Sequence, residues 1–366
     1  MKNTDRLDRL VSAMREQGMR NLLVAPSADM EYLVGVDLLG DERFTVLCVS
    51  AEGRHFIISP RISEGEFRSS AAVCEQIPIF FWTDNEGSQG AVERAFCEHG
   101  VSGTTLAVND DVRAVDVVHL QDVYGLKLVV GGDLVPRLRM VKDAEEVACQ
   151  KAVGGLADEV LGALAAYIRP GVSERGIQRV LRDAFEELGG EKVSWVIGSG
   201  PNGAQPHNTG TDRVVEAGDF VVVDFGAKYR GYRSDTTRTF AVGEPGAKQR
   251  EVYETVLAAH LAGERFARPG VRACEVDAVV RRVIEEAGYG GYFTHRTGQG
   301  IGITTHEAPY ISARDETVLE PGMSFSIEPG IYLPGEFGVR IEDCVTVTGN
   351  GCESFTHYPR ELQVLA

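Results

Sequence analysis

The sequence predicts a two-domain α/β chain, with an alternating α/β domain first and a second α+β domain built from two pseudo-symmetric halves. Three observations support this. The chain has 366 residues, too many for one ordinary core. Its first third alternates helical and extended patterns. Its last two thirds repeat a motif at long spacing.

In the first third, Leu7, Leu10, Val11 and Met14 recur at helical spacing, with Gly18 as a stop. Asn21 to Ala25, Thr45 to Val49, His55 to Ser59 and Leu106 to Val108 read as strands, and Ala91 to His99 as a helix. Pro136 is read as a break. Asp143 and Glu146 then have the spacing of a capping box that opens a long helix. The domains are placed at 1–136 and 137–366.

The repeat is Arg169-Pro170-Gly171-Val172, which recurs 99 residues later, from 169 to 268, as Arg268-Pro269-Gly270-Val271. Each copy leads into a helical stretch that ends at a glycine, Gly189 or Gly288. Four matching residues alone carry little, but the shared helix length points to duplication. The same offset relates His207 to His306. Two pseudo-symmetric halves would turn both histidines toward one cleft; the bland alternative is two unrelated loop histidines.

Composition limits the function. Charged residues make up 25 % and net charge is −17, with pI near 5.0. Such a surface repels phosphate backbones, so nucleic acid and anionic membranes are not expected partners. Seven scattered cysteines without a CxxC pair read as reduced, mostly buried thiols. No secretory signal or membrane-spanning run is visible, so a cytoplasmic location is expected.

Four carboxylates carry the chemistry. Phe220 to Gly226 is a near-continuous apolar run interrupted by Asp224. A carboxylate inside such a strand needs a cation or donors. A hairpin centred between Tyr229 and Arg230 would set Asp224 opposite Asp235. A second hairpin, centred on Gly335, would set Glu328 opposite Glu342. Four converging carboxylates repel one another, and divalent cations remove that repulsion. Oxygen-rich sites suit Mn²⁺, with Co²⁺ or Zn²⁺ as alternatives. Each acid alone could instead form a salt bridge, with Arg233, Arg238 and Arg340 close by in sequence. That reading does not explain four acids on two matched hairpins.

The segments His295-Arg296-Thr297-Gly298-Gln299-Gly300-Ile301-Gly302 and His306-Glu307-Ala308-Pro309-Tyr310 resemble the signature of prolidases and aminopeptidases P. So do Ser234-Asp235-Thr236-Thr237-Arg238, Ile327-Glu328-Pro329-Gly330-Ile331-Tyr332 and Val339-Arg340-Ile341-Glu342-Asp343. The resemblance spans the chain and implies a creatinase-like N-terminal domain before a pita-bread catalytic domain. It implies a two-metal site in which Asp224 holds the second ion, Asp235 and Glu342 bridge both, and Glu328 binds the first ion and moves protons. His207 and His306 would contact substrate and stabilise the tetrahedral intermediate, and Arg340 would support the carboxylates. The implied activity is hydrolysis of the bond before proline in Xaa-Pro dipeptides or at peptide N-termini, by a homodimer.

One position departs from that pattern. The family has a metal-ligating histidine where this chain has Gln299. A glutamine carbonyl is a weaker, neutral oxygen donor. Three readings stay open: Gln299 as an altered metal ligand, a one-metal enzyme, or a silent ligand-binding homologue. A hydrolase or lyase of a small metabolite on the same fold is a further alternative.

Overall fold

The computed structural model describes residues 3–74, 77–101 and 105–366. The chain divides into two units, Met1–Arg139 and Met140–Ala366.

The first unit is a six-stranded mixed sheet flanked by helices. Its strands are β1 (Asn21–Val24), β2 (Val46–Ser50), β3 (Phe56–Pro60), β4 (Ile79–Trp82), β5 (Thr105–Val108) and β6 (Lys127–Val130), in the order β4-β3-β2-β1-β5-β6. The opening helix, Asn3–Glu16, buries the expected stripe of Leu7, Leu10, Val11 and Met14. Met1 and Lys2 lie outside the described residues. Pro136 does not break the chain as expected. It sits in the first turn of a helix, Leu134–Met140, where its missing N–H would have no helical partner in any case.

In the second unit the capping box forms as its spacing indicates. The Asp143 side chain accepts from the backbone N–H groups of Glu145 and Glu146, and Glu146 reaches back to the Asp143 N–H. The helix Ala144–Tyr167 follows. The duplication is visible in the backbone. Gly171 and Gly270 both adopt positive φ, at 92° and 85°. Each precedes a 14-residue helix, Glu174–Glu187 or Ala273–Glu286, and Gly189 and Gly288 again take positive φ after them.

Each half has its own sheet. In the first half β7 (Glu191–Ser199), β8 (Phe220–Tyr229), β9 (Tyr232–Arg233) and β10 (Thr236–Val242) form the sheet, joined at its edge by a late strand. In the second half the strands are β11 (Gly298–Gly300), β12 (Glu307–Ile311), β13 (Ser324–Ile327), β14 (Gly330–Leu333), β15 (Phe337–Arg340), β16 (Asp343–Val347) and β17 (Cys352–Ser354). Their sheet runs β12-β11-β13-β16-β17, and β14 and β15 pair separately. The edge strand of the first half is β18 (Val364–Leu365), parallel to β10.

Alternation along β8 positions the site. Val221, Val223 and Phe225 pack into the first-half core under Ile177, Leu181 and Phe185 of the helix Glu174–Glu187. Phe185 meets Phe225 edge-on at 5.5 Å. Each such buried side chain contributes about 1.5–3 kcal/mol. The period of two turns Asp224 to the opposite face.

Of the cysteines, Cys48 and Cys344 are buried, Cys149, Cys274 and Cys352 are half-buried, Cys97 is exposed, and all six are free. The expectation of mostly buried thiols therefore holds only in part. The Cys74 side chain lies outside the described residues. No helix among the described residues is long and apolar enough to cross a membrane.

Candidate metal centre and active site

A cavity of ≈ 760 Å³ is lined by all eight residues singled out from the sequence: His207, Asp224, Asp235, Gln299, His306, Glu328, Arg340 and Glu342. Ser194, Trp195, Pro206, His295, Arg296, Thr304 and Thr305 complete much of the wall.

Asp224, Asp235 and Glu342 form the tightest group, each with a ligand atom within 4.8 Å of the others. They reach it from different elements. Asp224 lies in β8, and Asp235 follows β9. Glu342 precedes β16 and bridges to Thr237 of β10. The expected pairing of Asp224 with Asp235 is corrected by a shift of two residues along the partner strand. Asp224 lies opposite Thr237, and Tyr229 opposite Tyr232. The turn is Arg230-Gly231, with both residues at positive φ (51° and 84°), the requirement of a tight two-residue hairpin. Asp235 is therefore a diagonal neighbour of Asp224, still on the same face. The second hairpin has the register centred on Gly335: Gly330 pairs with Arg340 on one side and Ile327 with Asp343 on the other. Glu328 and Glu342 occupy the intervening register position.

Hydrogen bonds fix these carboxylates. Thr237 Oγ1 donates to Glu342 Oε2 at 2.7 Å and accepts from Arg340 Nε at 3.2 Å. Arg340 also pairs with Asp224 and donates to the Tyr332 hydroxyl at 2.6 Å. That hydroxyl also bonds His295 Nε2 at 2.8 Å. Ser326 Oγ donates to Glu328 Oε1 at 2.9 Å. Arg238 donates to the Glu342 carbonyl at 2.7 Å and pairs with fully buried Asp343, so the strand carrying Glu342 is anchored from behind. Arg233, the third arginine considered as a counter-charge, donates to the Lys192 carbonyl.

The electrostatics are those of crowded, buried carboxylates. Burial raises Asp235 well above the usual carboxylate range, and Asp224 and Glu328 add to the rise. Burial raises Glu342 in the same way, helped by Asp235 and Glu328. Burial pushes Glu328 up to about 7, with Asp224 adding and Arg340 opposing. Burial lowers His295 to about 4, and burial with Arg296 lowers His306. Glu342 Oε1 is buried with no hydrogen-bond partner among the described residues. An orphaned carboxylate oxygen beside two further carboxylates fits a hard divalent cation.

Gln299 also lines the cavity. Its backbone N–H donates to Ser326 Oγ, and its side-chain oxygen accepts from Arg296 Nε at 2.9 Å. Arg296 lies 4.8 Å over the Tyr310 ring. The two histidines are both exposed side chains on the cavity wall. His207 follows the short helix Gly200–Ala204, and His306 precedes β12. Tyr332 and Thr237 were within the quoted motifs but received no role from sequence. Trp195 lines the cavity. Trp82 is buried in the first unit.

A two-unit α/β chain whose duplicated second unit encloses a carboxylate-lined cavity is the architecture of a metal-dependent hydrolase. Residues 148–349 match metallopeptidase family M24, and residues 6–141 match the creatinase/prolidase N-terminal domain. The chain belongs to this family. It therefore has the creatinase-like and pita-bread domains of prolidases and aminopeptidases P, and it is a metallopeptidase with a divalent-metal cofactor. A probable dipeptidase PepE of Mycobacterium tuberculosis is 39 % identical over 362 residues, covering 98 % of this chain and 96 % of the relative. The crystal structure of dipeptidase PepE from Mycobacterium ulcerans superposes with TM-score 0.93 at 38 % identity, covering 99 % and 98 % of the two chains. An Xaa-Pro dipeptidase from Bacillus anthracis superposes with TM-score 0.90 at 34 % identity over the whole of both chains.

Proposed function

We propose that the chain is a metal-dependent Xaa-Pro dipeptidase that releases free proline from short peptides. The observation that carries this is the group of Asp224, Asp235 and Glu342, with its orphaned Glu342 oxygen, in one cavity with His207 and His306. Support for the substrate comes from the relatives, which are named as dipeptidases or an Xaa-Pro dipeptidase. A cavity of ≈ 760 Å³ is also of a size suited to a small ligand.

In this reading Asp224, Asp235 and Glu342 hold the ion, which we take to be Mn²⁺. When bound, such an ion lowers the pKa of water and polarises a carbonyl. Glu328 is the general base: it takes a proton from the attacking water and returns it to the proline nitrogen as the bond breaks. A buried carboxyl beside the clustered acids, hydrogen-bonded by Ser326, is placed to accept and return a proton. His207 and His306 donate to the peptide carbonyl and to the oxyanion that develops there. Arg340 holds Asp224 and, through Thr237, Glu342, so the ligands keep their places during turnover. The acidic surface and free cysteines accord with a cytoplasmic enzyme, and a homodimer is part of the same proposal.

The test is a Mn²⁺-loaded panel of Xaa-Pro and Xaa-Ala dipeptides and Xaa-Pro-Yaa tripeptides. Free proline from the first group is the expected product. Absence of cleavage before proline across the panel rejects the assignment.

A further inference from the structure

The cavity holds four carboxylates but two different kinds of positive partner. On one side Asp224, Asp235 and Glu342 converge, and among the described residues Asp224 alone of the three forms a direct ion pair with a guanidinium, that of Arg340. The buried Glu342 Oε1 has no partner among the described residues, so this side has an open donor set. Glu328 faces Glu342 across the hairpin register but lies outside the 4.8 Å group. Its near neighbours include Gln299, reached through Ser326 Oγ, which bonds both. Here the side-chain oxygen of Gln299 is already engaged by Arg296 Nε at 2.9 Å. Arg296 lines the cavity and acts electrostatically on both Glu328 and His306. Tyr310, which pairs with Gln299 across β11 and β12, supports the guanidinium with its ring at 4.8 Å.

Charge balance separates the two sides. Four carboxylate charges would be matched by one divalent cation together with Arg296 and Arg340. A second divalent cation would leave the cavity positive, and it would have to bind against a fixed guanidinium at a neutral donor whose oxygen that guanidinium already holds.

Resting on the metallopeptidase reading, we propose that this chain binds a single divalent cation, between Asp224, Asp235 and Glu342. In this arrangement Arg296, fixed by Gln299 and Tyr310, supplies the second positive charge beside Glu328. Gln299 is thereby a positioning residue for Arg296 rather than a metal ligand. The substrate carbonyl then meets a cation on one side and a guanidinium on the other.

The test counts ions rather than turnover. Chelator-stripped protein is saturated with Mn²⁺ and measured by native mass spectrometry and by electron paramagnetic resonance, for the parent and for Arg296→Met/Gln299→His. The double variant removes the guanidinium and offers an imidazole donor. The expected result is one Mn²⁺ per chain with an uncoupled six-line spectrum in the parent, and two with a spin-coupled spectrum in the double variant. Two ions in the parent overturn the single-ion arrangement and leave the metallopeptidase reading standing. A double variant that folds and still takes one ion shows that the Arg296–Gln299 pair does not exclude the second. No ion in the parent removes both readings. The parent count decides the stoichiometry even where the double variant fails to fold.

Discussion

Glu174→Gln should weaken the substrate side of the cavity from a distance. Glu174 is fully buried at the start of its helix, and its two oxygens knit the loop that carries His207. Oε1 accepts from the Ser199 N–H at 2.7 Å, Ser199 Oγ at 2.8 Å and Asn202 Nδ2 at 3.1 Å. Oε2 accepts from the Thr211 N–H at 2.7 Å and Thr211 Oγ1 at 2.8 Å. A glutamine can keep one of these sets. Its amide then faces the other backbone N–H, donor against donor. One charge-assisted bond is lost and one buried N–H is stranded, at a cost of about 3 kcal/mol. In a domain of this size that lowers the melting temperature by roughly 10 °C. A loosened loop misplaces Pro206 and His207, so kcat/KM on an Xaa-Pro dipeptide should fall on the order of 10- to 100-fold, mostly through KM. The donors around Glu174 hold its pKa below the ordinary value, outweighing burial. Its contribution is therefore present above the unfolded pKa and is lost as pH falls through the folded one, so the gap between parent and variant should close in acid. A Glu174→Gln variant within about 1 °C and two-fold of the parent at neutral pH would refute this reasoning.

Glu328→Gln should stabilise the metal-free protein: the folded pKa of Glu328 is raised from 4.5 to about 7, so the parent loses stability as pH rises across that range. In chelator, the advantage of the variant should grow by about 3 kcal/mol from pH 4.5 to pH 8, read by urea unfolding; a gap independent of pH contradicts the electrostatic picture. Asp343→Ala should destabilise by about 3–5 kcal/mol, because it removes the carboxylate that neutralises the buried Arg238 guanidinium and one partner each of His260 and Arg360. Denaturant midpoints measure it, and a loss below about 1 kcal/mol would show that Arg238 is satisfied by carbonyls alone. Tyr332→Phe removes the hydroxyl shared by Arg340 and His295, and should cost about 1–3 kcal/mol with a fall in kcat. Unchanged stability and turnover would mean that the hydroxyl holds neither.

The parts of the site that were legible in the sequence depend on local periodicity. The 99-residue offset, from 169 to 268, anticipates the paired glycines and equal helices, because each half repeats the same backbone route. The register around Gly335 could be read because the strands on both sides keep a single pairing. The first hairpin differed by two residues in its pairing because positive φ at Arg230 as well as Gly231 decides the turn, and an arginine gives no signal of it. Glu174 was missed because its partners, Ser199 to Thr211, gather only in the fold. The Arg296–Gln299 bond was likewise hidden. Sequence shows that a histidine position carries glutamine, but not which group that glutamine holds.

The most direct measurement is proline release from an Xaa-Pro dipeptide by chelator-stripped protein, before and after Mn²⁺ is restored, beside Asp235→Asn. The expected result is negligible turnover without metal, recovery with it, and no recovery in the variant, which lacks one of the three clustered carboxylates. Turnover that persists in chelator, or that survives Asp235→Asn undiminished, would contradict a metal-dependent peptidase centred on Asp224, Asp235 and Glu342.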